Sequence, residues 1–161
     1  MPELDRIDVR ILATVQEHGD LTLEELAARV SLSPSQCSRR LQNLRTAGYI
    51  SRIVALLDPS RLGLGLKAYV LITLRQQGKR SDAFHEFVRQ SEEILECSMV
   101  AGEADYILKL WTRDLKSFRV FLDAITATKQ VHKVRSSIVV EESKSTTAFP
   151  MQMLARKGAP A

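Results

Sequence analysis

From Leu4 to Leu44 apolar side chains recur three or four positions apart, the period of helices with one buried face. Leu4, Ile7, Ile11, Leu12 and Val15 mark a first helix, opened by Asp5 with Asp8 three residues on and closing near His18-Gly19. Thr22 and Glu25 write a capping box around Leu23, and Leu26, Ala27 and Val30 continue the buried face of a second helix. A third starts almost at once. Ser33 is a cap, Pro34 fits the first helical position where no N–H is needed, and Gln36 can reach back to the cap. Cys37, Leu41 and Leu44 give this helix a narrow buried stripe, and Gly48 supplies a left-handed exit. With only Ser31 and Leu32 between them, the second and third helices form a helix-turn-helix over residues 22–48, supported by the first. Tyr49 to Leu56 is rich in β-branched residues, which predicts the small strand pair of a winged helix, and Asp58-Pro59 then caps a single turn.

Beyond this point the pattern changes. Leu62-Gly63-Leu64-Gly65-Leu66 weakens regular structure, and Lys67 is the first lysine of the chain, so residues 1–62 are assigned to a first domain, 63–66 to a linker, 67–144 to a second domain and 145–161 to a loose tail. Ala68 to Leu74 predicts a strand, Ser81 to Ser91 a helix burying Phe84, Phe87 and Val88, and Ile94 to Ala101 a strand. The order then repeats with a strand from Tyr106 to Thr112, a helix from Asp114 to Thr126 and a strand from Val131 to Val140. This βαββαβ order is the ferredoxin-like arrangement, so the whole chain is α+β: a winged helix-turn-helix, then a four-stranded antiparallel sheet with both helices on one face. The other face, displaying Tyr69, Leu71, Ile107, Trp111 and Ile138, needs a cover, and pairing of two sheets in a dimer would supply one.

Composition narrows the function. An apolar content of 45% suits a soluble globular protein, and the formal charge of +4 is modest, so affinity for a polyanion has to come from local clustering. Such a cluster is present: from Leu26 to Leu57 there are five arginines, with no lysine and no acidic residue. The free face of the third helix carries Ser35, Gln36, Ser38, Arg39, Gln42 and Asn43, flanked by Arg40 and Arg45, with Arg52 beyond it. Guanidinium forks pair bidentately with phosphate oxygens or guanine edges, so this face fits duplex DNA, with Ser35, Gln36, Ser38, Arg39 and Asn43 toward bases and Arg40, Arg45 and Arg52 toward phosphates. Ser33 and Pro34 lie at the entry to the same surface. The alternative is a solvated basic helix lying in a protein–protein groove.

No apolar run reaches the ~18 residues of a membrane span and no leader precedes the first helix, so a cytoplasmic, nucleoid-associated protein is expected. Cys37 and Cys97 form no metal-binding pattern, and no metal or cofactor is expected. An enzyme is disfavoured because His18, His85 and His132 lie in different elements and there is neither a phosphate loop nor a nucleophile elbow. The turn Gly102-Glu103-Ala104-Asp105-Tyr106 reads on its residues as a plain hairpin, with glycine for a positive φ and aspartate for a side-chain-to-backbone bond.

The segments LDRIDVRIL, LSPSQCSRRLQNLRTAGYI, ALLDP and ECSMVAGEADYILKL resemble, in order and spacing, the Lrp/AsnC-family transcription regulators over roughly residues 4 to 144. The resemblance implies a feast-or-famine type regulator, in which dimers bind pseudo-palindromic DNA and often close as four dimers into an octamer. It also implies that the C-terminal domain senses a small amino acid. On that basis Asp105 is expected to accept the effector ammonium, the amides of Gly102, Glu103 and Ala104 its carboxylate, and Ser136 a further hydrogen bond, with Tyr106, Met99 and Val134 as wall residues. The chain departs from many relatives, which have proline at Gln36, a larger apolar residue at Ser38 and an acid-and-aromatic pair at Glu103-Ala104. Gln36 is open to two roles, reading adenine or completing its cap. An accessory amino-acid-binding subunit without specific DNA recognition is the alternative to a regulator.

Overall fold

A computed structural model of the chain describes residues 4–75 and 82–151; the expected helix start at Ser81 and the tail beyond residue 151 fall outside them. The described residues form two compact units. One comprises those up to Leu56 together with those from Lys144, and the other runs from Leu57 to Ser143.

In the first unit, α1 (Arg6–Glu17), α2 (Leu23–Val30) and α3 (Pro34–Thr46) each begin with a reciprocal capping box, formed by Asp5 with Asp8, Thr22 with Glu25, and Ser33 with Gln36. Each box satisfies amides that the first helical turn leaves without an internal acceptor. The apolar stripes meet in a core of Ile11, Leu12, Leu26, Ala27, Val30, Cys37 and Leu44, with Leu4, Ile7, Val15, Leu23 and Leu41 packed around it. Burial of each large side chain there contributes roughly 1.5–3 kcal/mol against its ordering entropy. Ser31, at φ 58°, ends α2 in the left-handed region, which makes the two-residue turn into α3 possible.

The described part of the tail returns to this unit. The Gln16 carboxamide donates to the Phe149 carbonyl at 2.9 Å and accepts from the Phe149 amide at 3.0 Å, while Met151 packs on the three-helix core. The expected wing differs as well, since residues 50–58 carry no strand. A two-stranded ribbon needs a tight turn, and Ile50 to Leu57 contains no Gly, Asn or Asp to make one within the chain.

The second unit opens with a 3-10 turn, Ser60–Leu62, for which Asp58 accepts the Ser60 amide at 2.9 Å. It continues as β1 (Leu66–Leu74), α4 (Asp82–Gln90), β2 (Ile94–Met99), β3 (Tyr106–Thr112), α5 (Leu115–Ala127) and β4 (Val131–Ile138). The sheet has the order β2-β3-β1-β4 with every neighbouring pair antiparallel, which is the expected ferredoxin-like topology. Alternation decides the faces. Ala68, Val70, Ile72 and Leu74 lie with Tyr106, Leu108 and Leu110 in the core that includes Phe84, Phe118, Phe121 and Ile125 of the helices.

Tyr69 and Leu71 of β1 and Ile107 and Trp111 of β3 occupy the opposite face, with Leu71 directly across from Ile107. Lys67 lies on that face too, only 7% exposed, its ammonium paired with Glu142 and 5.8 Å from the ring centroids of both Tyr69 and Trp111. Ile138 does not join them. It stands opposite Ala68 and therefore belongs to the helix-side face. The cause is a bulge in β4: Leu74 pairs with Val131 but Thr73 with Lys133, and the extra residue shifts the alternation of all that follows.

Candidate DNA-reading helix and effector cleft

Of the side chains assigned to DNA, Ser33, Pro34, Ser35, Gln36, Ser38, Arg39, Asn43, Arg45 and Arg52 are exposed, and all except Arg52 belong to α3 or its cap. Arg39, at i+4 from Ser35 and i−4 from Asn43, shares their side of the helix. Gln36 is engaged: its carbonyl oxygen accepts from the Ser33 hydroxyl at 3.1 Å and the Ser33 amide at 3.4 Å, completing the cap, while its NH2 makes no hydrogen bond among the described residues. Among the described residues Arg39, Arg45 and Arg52 make no ion pair, so their guanidinium groups face solvent without a competing carboxylate.

Arg40 is placed differently. Its Nη1 donates to Asp5 Oδ2 and Asp8 Oδ1, both at 2.7 Å, and its side chain is 28% exposed. The Asp8 and then the Asp5 carboxylate raise its already high pKa further. For Asp5, the Asp8 amide it accepts is the largest influence holding its carboxyl below the usual range; desolvation opposes it, and Arg40 and the Ile7 amide add to the lowering. Burial pushes the Cys37 thiol up, in keeping with a small apolar side chain.

In the second unit a cleft of about 360 Å³ opens beside the β2–β3 turn, lined by Leu71, Val100, Ala101, Gly102, Glu103, Ala104, Arg135 and Ser137. The turn is held from below. Val100 donates to the Asp105 carbonyl at 2.9 Å, the Asp105 amide to the Ile72 carbonyl at 2.8 Å, and the Leu74 amide to the Asp105 carboxylate at 2.7 Å. Gly102 takes φ +149°, which L side chains rarely adopt. Within the turn, none of the amides from Ala101 to Ala104 donates to a described group. Arg135 and Glu103 form an ion pair at the rim, and that guanidinium, followed by Lys133, holds the Glu103 carboxyl below its usual value.

The structure brings together only part of the expected effector site. Gly102, Glu103 and Ala104 line the cleft, whereas the Asp105 carboxylate is turned to the β1 backbone. Tyr106 is buried in the core, with its hydroxyl 3.2 Å from His85 Nε2, and Ser136, opposite Val70, lies on the helix side of the sheet. Arg135 and Ser137 reach the cleft instead, because the β4 bulge shifts the strand by one residue, and neither they nor Leu71 carried a sequence signal for a ligand site.

A helix-turn-helix with an arginine-bearing polar face, joined to a sheet domain with a ligand-sized cleft, defines a class of transcription regulators that couple a DNA reader to an effector-binding module. The family model of the Lrp/AsnC ligand binding domain matches residues 67–149, and that of a winged helix-turn-helix DNA-binding domain matches residues 4–51. The chain belongs to the Lrp/AsnC family of transcription regulators. It is 37% identical over 148 residues to the leucine-responsive regulatory proteins of Escherichia coli and Salmonella typhimurium, covering 89% of each chain. Its fold superimposes with a TM-score of 0.90 on a Neisseria meningitidis transcriptional regulator solved in complex with L-methionine, at 39% identity over 94% of this chain and 99% of that one. A feast or famine regulatory protein of Mycobacterium tuberculosis complexed with L-methionine gives a TM-score of 0.82 at 30% identity, over 91% of this chain and 98% of that one. These relatives regulate transcription and are not enzymes, and nothing in the likenesses favours the accessory-sensor alternative.

Proposed function

We propose that this regulator binds an α-amino acid with an apolar side chain of methionine size in the cleft beside Gly102, and that occupancy alters its hold on a pseudo-palindromic operator. The observation that carries this is the polarity of the cleft. The amides of residues 101–104, which donate to no described group, and the Arg135 guanidinium suit a carboxylate, Glu103 suits an ammonium, and Leu71, Val100, Ala101 and Ala104 offer an apolar wall. A zwitterion entering there would replace each half of the Arg135–Glu103 pair with an opposite charge of its own. Asp105 acts on the effector indirectly, by fixing the turn through the Leu74 amide. The L-methionine bound by the Neisseria and Mycobacterium proteins supports methionine as the first effector to try.

On the DNA side, Ser35, Gln36 (through its NH2), Ser38, Arg39 and Asn43 meet base edges in the major groove, while Arg45 and Arg52 contact phosphates. Ser33 and Pro34 set the entry of α3 onto the duplex. Two chains pair through the sheet face that carries Tyr69, Leu71, Ile107 and Trp111, and such dimers assemble further, up to an octamer. The regulator works on the nucleoid in the cytoplasm and needs no cofactor beyond its effector.

A gel shift on the protein's own upstream region, at physiological salt with competitor DNA and each of the twenty amino acids in turn, tests both halves. A specific shift altered by methionine or a similar amino acid is expected. A specific shift indifferent to all twenty would remove the effector proposal.

A further inference from the structure

We propose that Arg40 is a positioning residue for DNA recognition, not a phosphate contact: it fixes the angle at which α3 is presented by tying that helix to the cap of α1. The bonds that do this are drawn from two capping carboxylates, each used at both oxygens. Asp5 Oδ1 accepts the Ile7 and Asp8 amides at 2.8 Å, and its Oδ2 takes Arg40. Asp8 Oδ2 accepts the Asp5 amide at 3.4 Å, and its Oδ1 takes Arg40. One connected network therefore spans the first turn of α1 and the middle of α3, elements 35 and 32 residues apart in sequence at the two bonds. The helix start is rigid because its amides are satisfied, so the guanidinium is anchored to a fixed point and not to mobile side chains.

Charge argues the same way. One guanidinium with two carboxylates sums to a net negative cluster, which gives Arg40 no attraction for phosphate comparable to that of Arg39, Arg45 or Arg52, none of which has an acidic partner among the described residues. A phosphate approaching Arg40 would also meet the Asp5 carboxylate, whose side chain is 51% exposed. Among the cationic side chains of α3, Arg40 is thus spent on holding the helix in place.

The two roles predict opposite signs for one class of substitution. Neutralising Asp5 or Asp8 removes negative charge beside a polyanion, so if the pair had no positioning role DNA would bind more tightly. If Arg40 positions α3, binding weakens. Asparagine keeps one acceptor oxygen at each position: at Asp5 it still caps the helix, and at Asp8, the third helical residue, it can still accept the Asp5 amide, which leaves the helix start intact.

The experiment measures fluorescence anisotropy of full-length Arg40→Gln, Asp5→Asn and Asp8→Asn on a duplex selected by the unaltered protein from a random-sequence pool, and on a scrambled duplex, across a salt series. The folded fraction is fixed by circular dichroism. Expected is a tenfold or greater loss on the selected duplex for Arg40→Gln and Asp8→Asn, with scrambled-duplex affinity and the slope of log affinity against log salt unchanged. A general loss of folded protein would instead weaken both duplexes together. The proposal is overturned if Arg40→Gln reduces that slope by about one while Asp8→Asn binds as tightly as before or more tightly. It is equally overturned if neither variant changes selected-duplex affinity. Should Arg40→Gln fail to fold, Asp5→Asn decides alone: weaker selected-duplex binding supports the proposal and unchanged or tighter binding overturns it.

Discussion

Gly102 sits at φ +149° with open space where a Cβ would go, so its requirement is for backbone freedom and not for room. Gly102→Ala should therefore lose ~1–3 kcal/mol of stability through strain, read by thermal unfolding, and should weaken amino-acid binding, read by calorimetry, as the turn amides shift. Arg39 presents the opposite case, a side chain with no partner in the described chain and a free face to work on. Arg39→Ala should cost ~1–3 kcal/mol of operator affinity and relax preference at one base pair in a binding-site selection; equal weakening on every sequence would mark a phosphate contact instead. Local chemistry made both residues legible in the sequence, since a glycine in an acidic turn and an arginine on a polar helix face carry their meaning with them. Arg40 could not be separated from Arg39 in the same way, because its partners lie 32 and 35 residues earlier and an adjacent guanidinium in the sequence looks identical.

At the scale of elements, the three capping boxes were all written in the sequence, and α1 shows what one of them does under acid. The Asp5 carboxyl lies below its ordinary value in the folded chain, first because it accepts the Asp8 amide and then because of Arg40. The folded state thus holds its proton less tightly than the unfolded one. The stabilisation is complete above about pH 5 and is lost as pH falls through the carboxylate range. Asp5 is half exposed and screened, so the effect is small, ~0.2–1 kcal/mol, seen as a midpoint drop on acidification that Asp5→Asn should flatten. Helices were legible because stripe, cap and exit are neighbours in the chain. The strands were legible as runs but not in register: Val131 and Val134 both pack toward the helices although three residues apart, which requires the bulge, and only pairing with β1 reveals it. That single extra residue puts Ser137 on the cleft side and Ser136 on the helix side, and sends Ile138 to the helix side as well. The strand pair expected over Tyr49 to Leu56 was over-read for a related reason, since β-branched residues favour strands but cannot supply the partner.

For the molecule as a whole, the sheet face bearing Tyr69, Leu71, Ile107 and Trp111 is the one proposed to pair with a second copy; of the five side chains expected there from alternation, these four lie on it and Ile138 does not. Ile107 lies at its middle, opposite Leu71 on one side and Ser98 on the other. Under the proposed pairing of two sheets, Ile107→Asp should raise the dimer dissociation constant roughly a hundredfold, about 3 kcal/mol, by burying a charge without a partner; sedimentation velocity at micromolar concentration should then show monomers where the unaltered protein associates. The return of the tail has a different reach. Because Phe149 is held by Gln16 and Met151 packs on the helices, the DNA-binding unit is discontinuous in sequence, with the whole sensing unit inserted between its two pieces. Deleting everything after Ser143 should thus lower the melting temperature of the helix-turn-helix, by an amount worth about 1–2 kcal/mol, without altering one of its residues. A synthetic peptide spanning residues 144–161 should restore it by complementation in trans, and any shortened DNA-binding fragment ending near residue 62 will need that peptide to behave as it does in the intact chain.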